Sequence, residues 1–234
     1  MANDHRFIAM GLAAPPPPAL EARSLYRFYR AGDEETLALQ GVSLTLERGE
    51  FVAVTGPSGS GKSTLLACLA GMDDPDGGSV RINGQRITHR REQERARMRA
   101  NHIGVLFQNS NLLEHLTLAQ NLSLVRALGA HRGGDRADLL SELGLADRAS
   151  AYPSQLSGGE LARAGLAIAL ANAPAVLLAD EPTGELDSAT EAQVLKLLIA
   201  TAASGTGIVV ASHSLAVADA AARVVRLDDG RVCR

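Results

Sequence analysis

The spacing of hydrophobic positions changes several times along the chain, and each change predicts an element. Residues 20–29 carry a strand pattern, a polar turn is expected at 31–35, and Val42, Leu44 and Leu46 then alternate with polar side chains. That alternation is the period of a half-buried antiparallel strand. After a turn at 47–50 the run FVAVT, residues 51–55, is mostly apolar and stops at Gly56, with a helix expected over residues 62–69. A short apolar run without alternation is buried on both faces, as strands of parallel sheets are. Strand, glycine loop and helix in succession therefore form a βα unit.

Residues 110–145 differ in texture: short amphipathic helices with loops, a turn region at 129–134, and a stripe of Leu139, Leu140 and Leu143. They predict a small helical subdomain. Beyond Gly159 an alanine-rich helix is expected to about Asn172, and residues 175–179 form a second apolar strand that ends in Asp180 and Glu181. A helix over 189–200, a strand over 208–211 and an edge pair at 224–227 and 231–232 complete the pattern. The Asp228-Asp229-Gly230 turn joins that pair as a hairpin. No internal repeat is visible, so each motif occurs once.

Two of these strand ends carry chemistry. GPSGSGKS, residues 56–63, satisfies G-x-x-x-x-G-K-[ST] at every fixed position, with a strand before it and a helix after. Glycines let successive backbone N–H groups curl inward around phosphate oxygens, and the helix N-terminus adds its dipole. Lys62 is placed to bridge β- and γ-phosphates and Ser63 to ligate Mg2+. VLLADE, residues 176–181, pushes two carboxylates out at the C-terminal edge of a buried strand, where open α/β sheets bind ligands. Asp180 is the candidate Mg2+ holder, and Glu181 the group that polarises the attacking water. A second glycine-rich turn, YPSQLSGGELARAG at 152–165, also opens onto a helix.

Composition narrows the class. With 46% hydrophobic and 21% charged residues over 234 positions, the chain suits one large α/β domain and not two ATPase units. A net charge of −3 offers no global attraction to nucleic acid. The six arginines between residues 86 and 99 are mixed with Glu92 and Glu94 and lack interleaved aromatics, which points to a solvated helix or turn. Cys68 and Cys233 have neither zinc-site nor disulfide-framework spacing and fit a reducing compartment. The short apolar run at 7–14, followed by Pro15 to Pro18, reads as a flexible extension with a polyproline II segment, not as a secretory leader. No stretch approaches the ~20 apolar residues of a membrane span, so another chain would have to supply one.

Taken together, these motifs resemble the nucleotide-binding subunit of an ATP-binding cassette transporter. The likeness covers nearly all of residues 20–234. LSGGE at 156–160 resembles the family signature, SHS at 212–214 its switch histidine, FQN at 107–109 its Q-loop, and GELDS at 184–188 its D-loop. The YRAGDEE lead-in at 29–35, YPSQLSGGE and LLADEPTGELDS resemble the branch that serves lipoprotein-release, macrolide-efflux and cell-division permeases.

The resemblance implies an α/β P-loop NTPase, a RecA-like core with a mainly parallel sheet, an N-terminal antiparallel β subdomain and an inserted helical subdomain. It implies an extension over 1–19 and one ATPase domain over 20–234, with 20–107 and 173–234 as core and 108–172 as the helical part. The catalytic set it implies is Lys62, Gln108, Glu181 and His213. Nucleotide would be held by Tyr29, with Tyr26 the competing aromatic, and by Gly56, Pro57, Ser58, Gly59, Ser60, Gly61, Lys62, Ser63 and Thr64. Gln108, Asp180, Asp187, and Ser157, Gly158, Gly159 and Glu160 complete that set, and Ser63, Gln108 and Asp180 would hold the metal. His213 would touch the γ-phosphate, Gln108 would sense Mg2+ and water, and Tyr29 would stack on adenine.

The implied partners are ATP with Mg2+, a second copy or homologous ATPase subunit, and an integral membrane permease. No nucleic acid is expected. The implied location is cytoplasmic, on the inner face of the membrane through the permease, with work of export or extraction. The same cycle would serve a mechanical regulator of a membrane protein. Soluble relatives in DNA repair carry a long coiled coil and ribosomal ones two cassettes, neither of which is present. Leu161 and Ala162 stand where the branch usually has glutamines, and Glu185 where it usually has asparagine, so coupling or turnover can differ from the branch norm.

Overall fold

The computed structural model describes residues 16–31, 34–107, 111–129, 139–184 and 186–233. Two sheets organise them. In chain order the first elements are β1 (Leu20–Ala31), β2 (Glu34–Leu46), β3 (Phe51–Thr55), α1 (Lys62–Leu69), β4 (Gly77–Ile82), β5 (Gln85–Arg86), α2 (Glu92–His102) and β6 (Ile103–Leu106). Then follow α3 (Leu118–Leu128), α4 (Leu139–Glu142), α5 (Gly158–Leu170), β7 (Val176–Asp180), α6 (Ser188–Ala203), β8 (Gly207–Ala211), α7 (Leu215–Ala220), β9 (Arg223–Asp228) and β10 (Arg231–Cys233). One sheet is antiparallel, in the order β2-β1-β4-β5; the other runs β10-β9-β3-β8-β7-β6, parallel except for β10.

The apolar runs occupy the centre of the parallel sheet because both faces of it are covered. Val52, Val54, Val176, Leu178, Val209 and Ala211 point to one core, shared with α1 and the antiparallel sheet. Their neighbours Phe51, Ala53, Leu177, Ala179, Ile208 and Val210 point to the other, packed under α3, α5 and α6. Successive residues of a strand face opposite ways, so a strand between two cores must be apolar throughout. α1 is correspondingly buried along Leu65, Leu66, Cys68 and Leu69.

Several expectations shift. β1 and β2 pair through Ala31 and Glu34, so the turn between them is tighter than residues 31–35. The expected N-terminal antiparallel subdomain is present and also takes in β4 and β5, which join it after α1. The 223–228 strand is no edge: it pairs in parallel with β3, and β10 alone forms the border on that side of the sheet. Ala19, assigned to the extension by sequence, is fully buried, and its carbonyl accepts from the Asn83 amide at 3.0 Å. The arginine-rich stretch contains α2, which has no buried residue and is laced by ion pairs of Glu92 with Arg95 and Arg99.

Candidate functional site

Three carboxyl ends of parallel strands, β3, β7 and β8, set out the site. The chain leaves β3 at Thr55 and must turn sharply, which it does with Gly56 at φ 152° and Gly61 at φ 98°. A side chain is barred at both: a Cβ on Gly56 would lie 2.1 Å from the Leu227 carbonyl oxygen, and one on Gly61 2.4 Å from that of Ala38. Gly61 caps α1 with no side-chain hydrogen bond, and the first turn of α1 carries no acid. Its leading N–H groups are those a helix leaves without intrahelical partners. Lys62 folds back so that its ammonium donates to the carbonyls of Gly56 and Pro57, at 2.9 and 3.0 Å.

This loop borders a cavity of ≈ 440 Å3, which Ser58, Gly59, Gly61, Lys62, Ser63 and Thr64 share with Tyr29, Asp180 and Glu181. Gly56, Pro57 and Ser60 support it from outside the lining; Ser60 is buried, and its carbonyl accepts from the Gly230 amide at 3.1 Å. Ser63 and Asp180 also meet in a second cavity of ≈ 190 Å3 beside Leu66 and Phe107. Tyr29 and not Tyr26 faces the loop: Tyr26 lies over Gly41 and Gly77.

Glu181 follows β7 directly and holds a left-handed backbone, φ 46°. That conformation is costly for a residue with a side chain and persists only where the surroundings impose it. Here its amide donates to the Ala211 carbonyl at 2.8 Å, and its carbonyl accepts from Gly184 at 3.2 Å. The carboxylate is fixed at both oxygens: the Ser212 hydroxyl donates to Oε2 at 2.9 Å, and His213 Nδ1 lies 2.9 Å from Oε1. His213 is thereby joined to the cavity through Glu181 while remaining 73% exposed. Glu191 of α6 accepts from Thr183 at 3.0 Å and Ser214 at 2.7 Å, linking the loops after β7 and β8.

The second glycine turn stands apart from this cavity. Ser157 caps α5 reciprocally: its hydroxyl accepts from the Glu160 amide at 3.3 Å, and Glu160 accepts from the Ser157 amide at 2.9 Å. Arg148 adds a third bond to Glu160 at 2.7 Å. The Ser157 amide first, then Arg148, holds the Glu160 carboxyl down at about 2. Gly158 and Gly159 open α5, and a Cβ on Gly159 would lie 2.6 Å from Thr190 of α6. Asp187 caps α6 through the amides of Ala189 and Thr190 and the Thr190 hydroxyl, and that hydroxyl leads the bonds that lower its pKa. Leu161 and Ala162 pack half-buried against the α3–α5 core.

Of the residues expected from sequence, the cavity thus unites Tyr29, the P-loop, Asp180 and Glu181, with His213 attached. Ser157, Gly158, Gly159, Glu160 and Asp187 do not line it. Gln108 and Glu185 lie outside the described residues. Sequence reasoning missed Thr36, Leu37, Ala38, Asp229 and Gly230 on the cavity wall. No spacing rule announces that β2 and the β9–β10 turn close over the loop; Ser212 as the partner of Glu181 was missed because the pairing joins the ends of β7 and β8, 31 residues apart.

A parallel sheet with a glycine loop at the end of one strand and an acidic pair at the end of another defines a P-loop NTPase. Residues 39–184 match a family model described as ABC transporter. The chain is 42% identical over 217 residues to the macrolide export ATP-binding/permease protein MacB 1 of Yersinia pestis bv. Antiqua, covering 91% of this chain and 33% of that protein. It is 41% identical over 220 residues to MacB of Hyphomonas neptunium, covering 92% of this chain and 34% of that protein. Among solved structures, the dimeric bacterial ABC transporter cassette MJ0796 superposes with a TM-score of 0.83 at 36% identity, covering 92% of this chain and 97% of that one. A post-hydrolysis dimer of MJ0796 bound to ADP and Pi gives a TM-score of 0.84 at 35% identity, with the same coverage. The chain belongs to the ABC transporter family. It spans about a third of the length of these MacB relatives.

Proposed function

We propose that the chain binds ATP with Mg2+, hydrolyses it, and drives a membrane permease for export, paired with a second cassette. The observation that carries this reading is Glu181: a carboxylate anchored at both oxygens, on a residue of left-handed backbone, on the wall of the cavity that the P-loop borders. The N–H groups at the start of α1 and the Lys62 ammonium take the β- and γ-phosphates, the Lys62 ammonium leaving the carbonyls it now caps. Tyr29 stacks on adenine. Ser63 and Asp180, which line one cavity, fit Mg2+, which uses one or two protein oxygens beside phosphates and water. Bound there, Mg2+ would neutralise charge on the phosphate oxygens.

Glu181 accepts the proton of the attacking water as its oxygen bonds to the γ-phosphorus, and the bond to the bridging oxygen breaks to release ADP. Ser212 and His213 keep the carboxylate aimed, His213 reaches the γ-phosphate, and Gln108 monitors water and metal. Ser157, Gly158, Gly159 and Glu160 serve the ATP of the opposite subunit, with Asp187 beside that contact. Their absence from this chain's own cavity and the dimeric state of MJ0796 support that arrangement. In this reading the described residues within 108–172 make up the helical subdomain, and those within 20–107 and 173–234 the core. The described residues contain no helix long and apolar enough to cross a membrane. The MacB relatives are named as export proteins with a permease, which supports a cytoplasmic cassette held to the membrane by such a partner.

Glu181→Gln keeps the shape and removes the base. Turnover should fall by about 10²-fold or more, while ATP binding persists and the dimer accumulates in size-exclusion chromatography. Hydrolysis at the wild-type rate would remove Glu181 from the base role. A protein that binds ATP yet stays monomeric would remove the shared site.

A further inference from the structure

The aromatic ring on the cavity wall is held by groups that the reaction itself does not use. The Tyr29 hydroxyl donates to Asp73 Oδ2 at 2.9 Å. The same oxygen accepts from Arg27 Nε at 2.8 Å. The Arg27 guanidinium lies over the Tyr29 ring, 4.7 Å from its centroid. Arg27 is in turn fixed at Nη1 by Asp76 at 3.1 Å, and Asp76 accepts from the Phe28 amide at 2.8 Å. Tyr29 lines the P-loop cavity and Arg27 does not, which leaves part of the ring turned to the cavity free of the guanidinium.

Asp73 lies just beyond α1, with its amide donating to Ala67 of that helix at 3.2 Å. One helix therefore carries the phosphate-facing loop at its N-terminus and anchors the aromatic ring from its C-terminal end. The spacing between ring and loop is therefore tied to α1 as well as to the β1–β2 hairpin that carries Tyr29.

We propose that Arg27 and Asp73 are positioning residues for nucleobase recognition. Together they hold the Tyr29 ring at a fixed height above the P-loop, and the guanidinium on one face leaves the other for a purine. This rests on Tyr29 as the base-stacking residue. Arg27 is suited to the task because its planar guanidinium stacks on an aromatic ring while its donors stay paired with carboxylates.

The test is a double-mutant cycle on the purified full chain, reading affinity for ATP, for CTP and for inorganic tripolyphosphate, which has no base. Arg27→Met should weaken ATP about three- to tenfold, weaken CTP less, and leave tripolyphosphate unchanged. Arg27→Lys, which keeps the charge without the plane, should restore only part of the loss. In a Tyr29→Ala background Arg27→Met should have no further effect. A loss that persists without the ring, or that tripolyphosphate shares in full, would overturn the proposal. Should Tyr29→Ala weaken ATP while Arg27→Met does not, the positioning role alone fails. Should Tyr29→Ala leave the preference for ATP over tripolyphosphate intact, the base-stacking reading fails, and the positioning role with it.

Discussion

The turns at residues 56–61 and 157–159 both deliver the chain to a helix N-terminus, but the first is left open and the second is closed by its own side chains. At α1 the cap is a glycine, no acid stands in the first turn, and a lysine follows. At α5 the cap is Ser157, Glu160 stands in the first turn, and the two satisfy each other's amides. The free ends of helices attract anions through unpaired N–H groups and the aligned dipole. α1 offers the whole of that attraction. α5 has spent part of it on Glu160, whose charge Arg148 offsets. The open turn leaves its amides to an incoming anion, whereas the half-closed one has fewer to offer.

The glycines sharpen the contrast, because the two turns need them for different reasons. Gly56→Ala should give the largest effect. Its Cβ would strike the Leu227 carbonyl at 2.1 Å in a conformation that L-residues avoid. A loss of about 3 kcal/mol or more is expected, together with loss of nucleotide binding. Gly158→Ala is the matched change in the second turn, where the nearest atom, Leu186 Cδ2, is 3.9 Å from the new Cβ. Alanine is the better helix former by up to about 1 kcal/mol, so the folded chain should be unharmed or slightly firmer. Urea unfolding of the two variants decides it, and equal destabilisation would erase the distinction.

Ser157→Ala comes next. Losing the cap should cost about 1 kcal/mol of stability and leave ATP binding to the monomer at its wild-type affinity. On the proposed shared site, turnover at dimer-forming concentrations should fall by about tenfold or more, because a ligand group for the partner's γ-phosphate is removed. Titration of ATP at high dilution, beside ATPase rate against protein concentration, separates the two. Weakened binding in the dilute monomer would mean that the turn acts within its own chain.

How far the sequence announced all this differs between the turns in the same way. The P-loop was legible because its chemistry is local: strand, glycines, lysine and hydroxyl follow one another within residues 51–64. So was the acidic pair, which ends a strand whose burial the apolar run at 176–179 declares. β4 was harder to see, with two glycines at its start and only Val80 and Ile82 buried. β6 escaped because it is four residues long and follows a highly charged helix. The far wall of the cavity, Ala38 and Gly230, was beyond reach for another reason. Gln40 and Gly230 pair across nearly the whole chain, and only tertiary packing brings them to the loop.

The smallest effect tests why the second turn is closed. Glu160 has its carboxyl held at about 2 against an ordinary value of 4.5, chiefly by the Ser157 amide and Arg148. A group whose pKa is lowered by folding stabilises the native state above its unfolded value, and that contribution is lost as pH falls through the folded one. The wild type should therefore exceed Glu160→Gln by a constant margin above about pH 4.5. The margin should shrink steadily as the pH drops toward 2. Asp187 at the α6 cap shifts in the same direction but is present in both proteins, so the difference isolates the α5 cap. Because the pair with Arg148 lies at the surface, with Arg148 52% exposed, added salt should narrow the margin without abolishing it; the amide bond to Ser157 remains. Urea midpoints of both proteins between pH 7 and 3, at low and high salt, carry the measurement. A margin independent of pH would mean that the carboxylate's charge does not close the turn, leaving its closure to the hydrogen bonds of the cap alone.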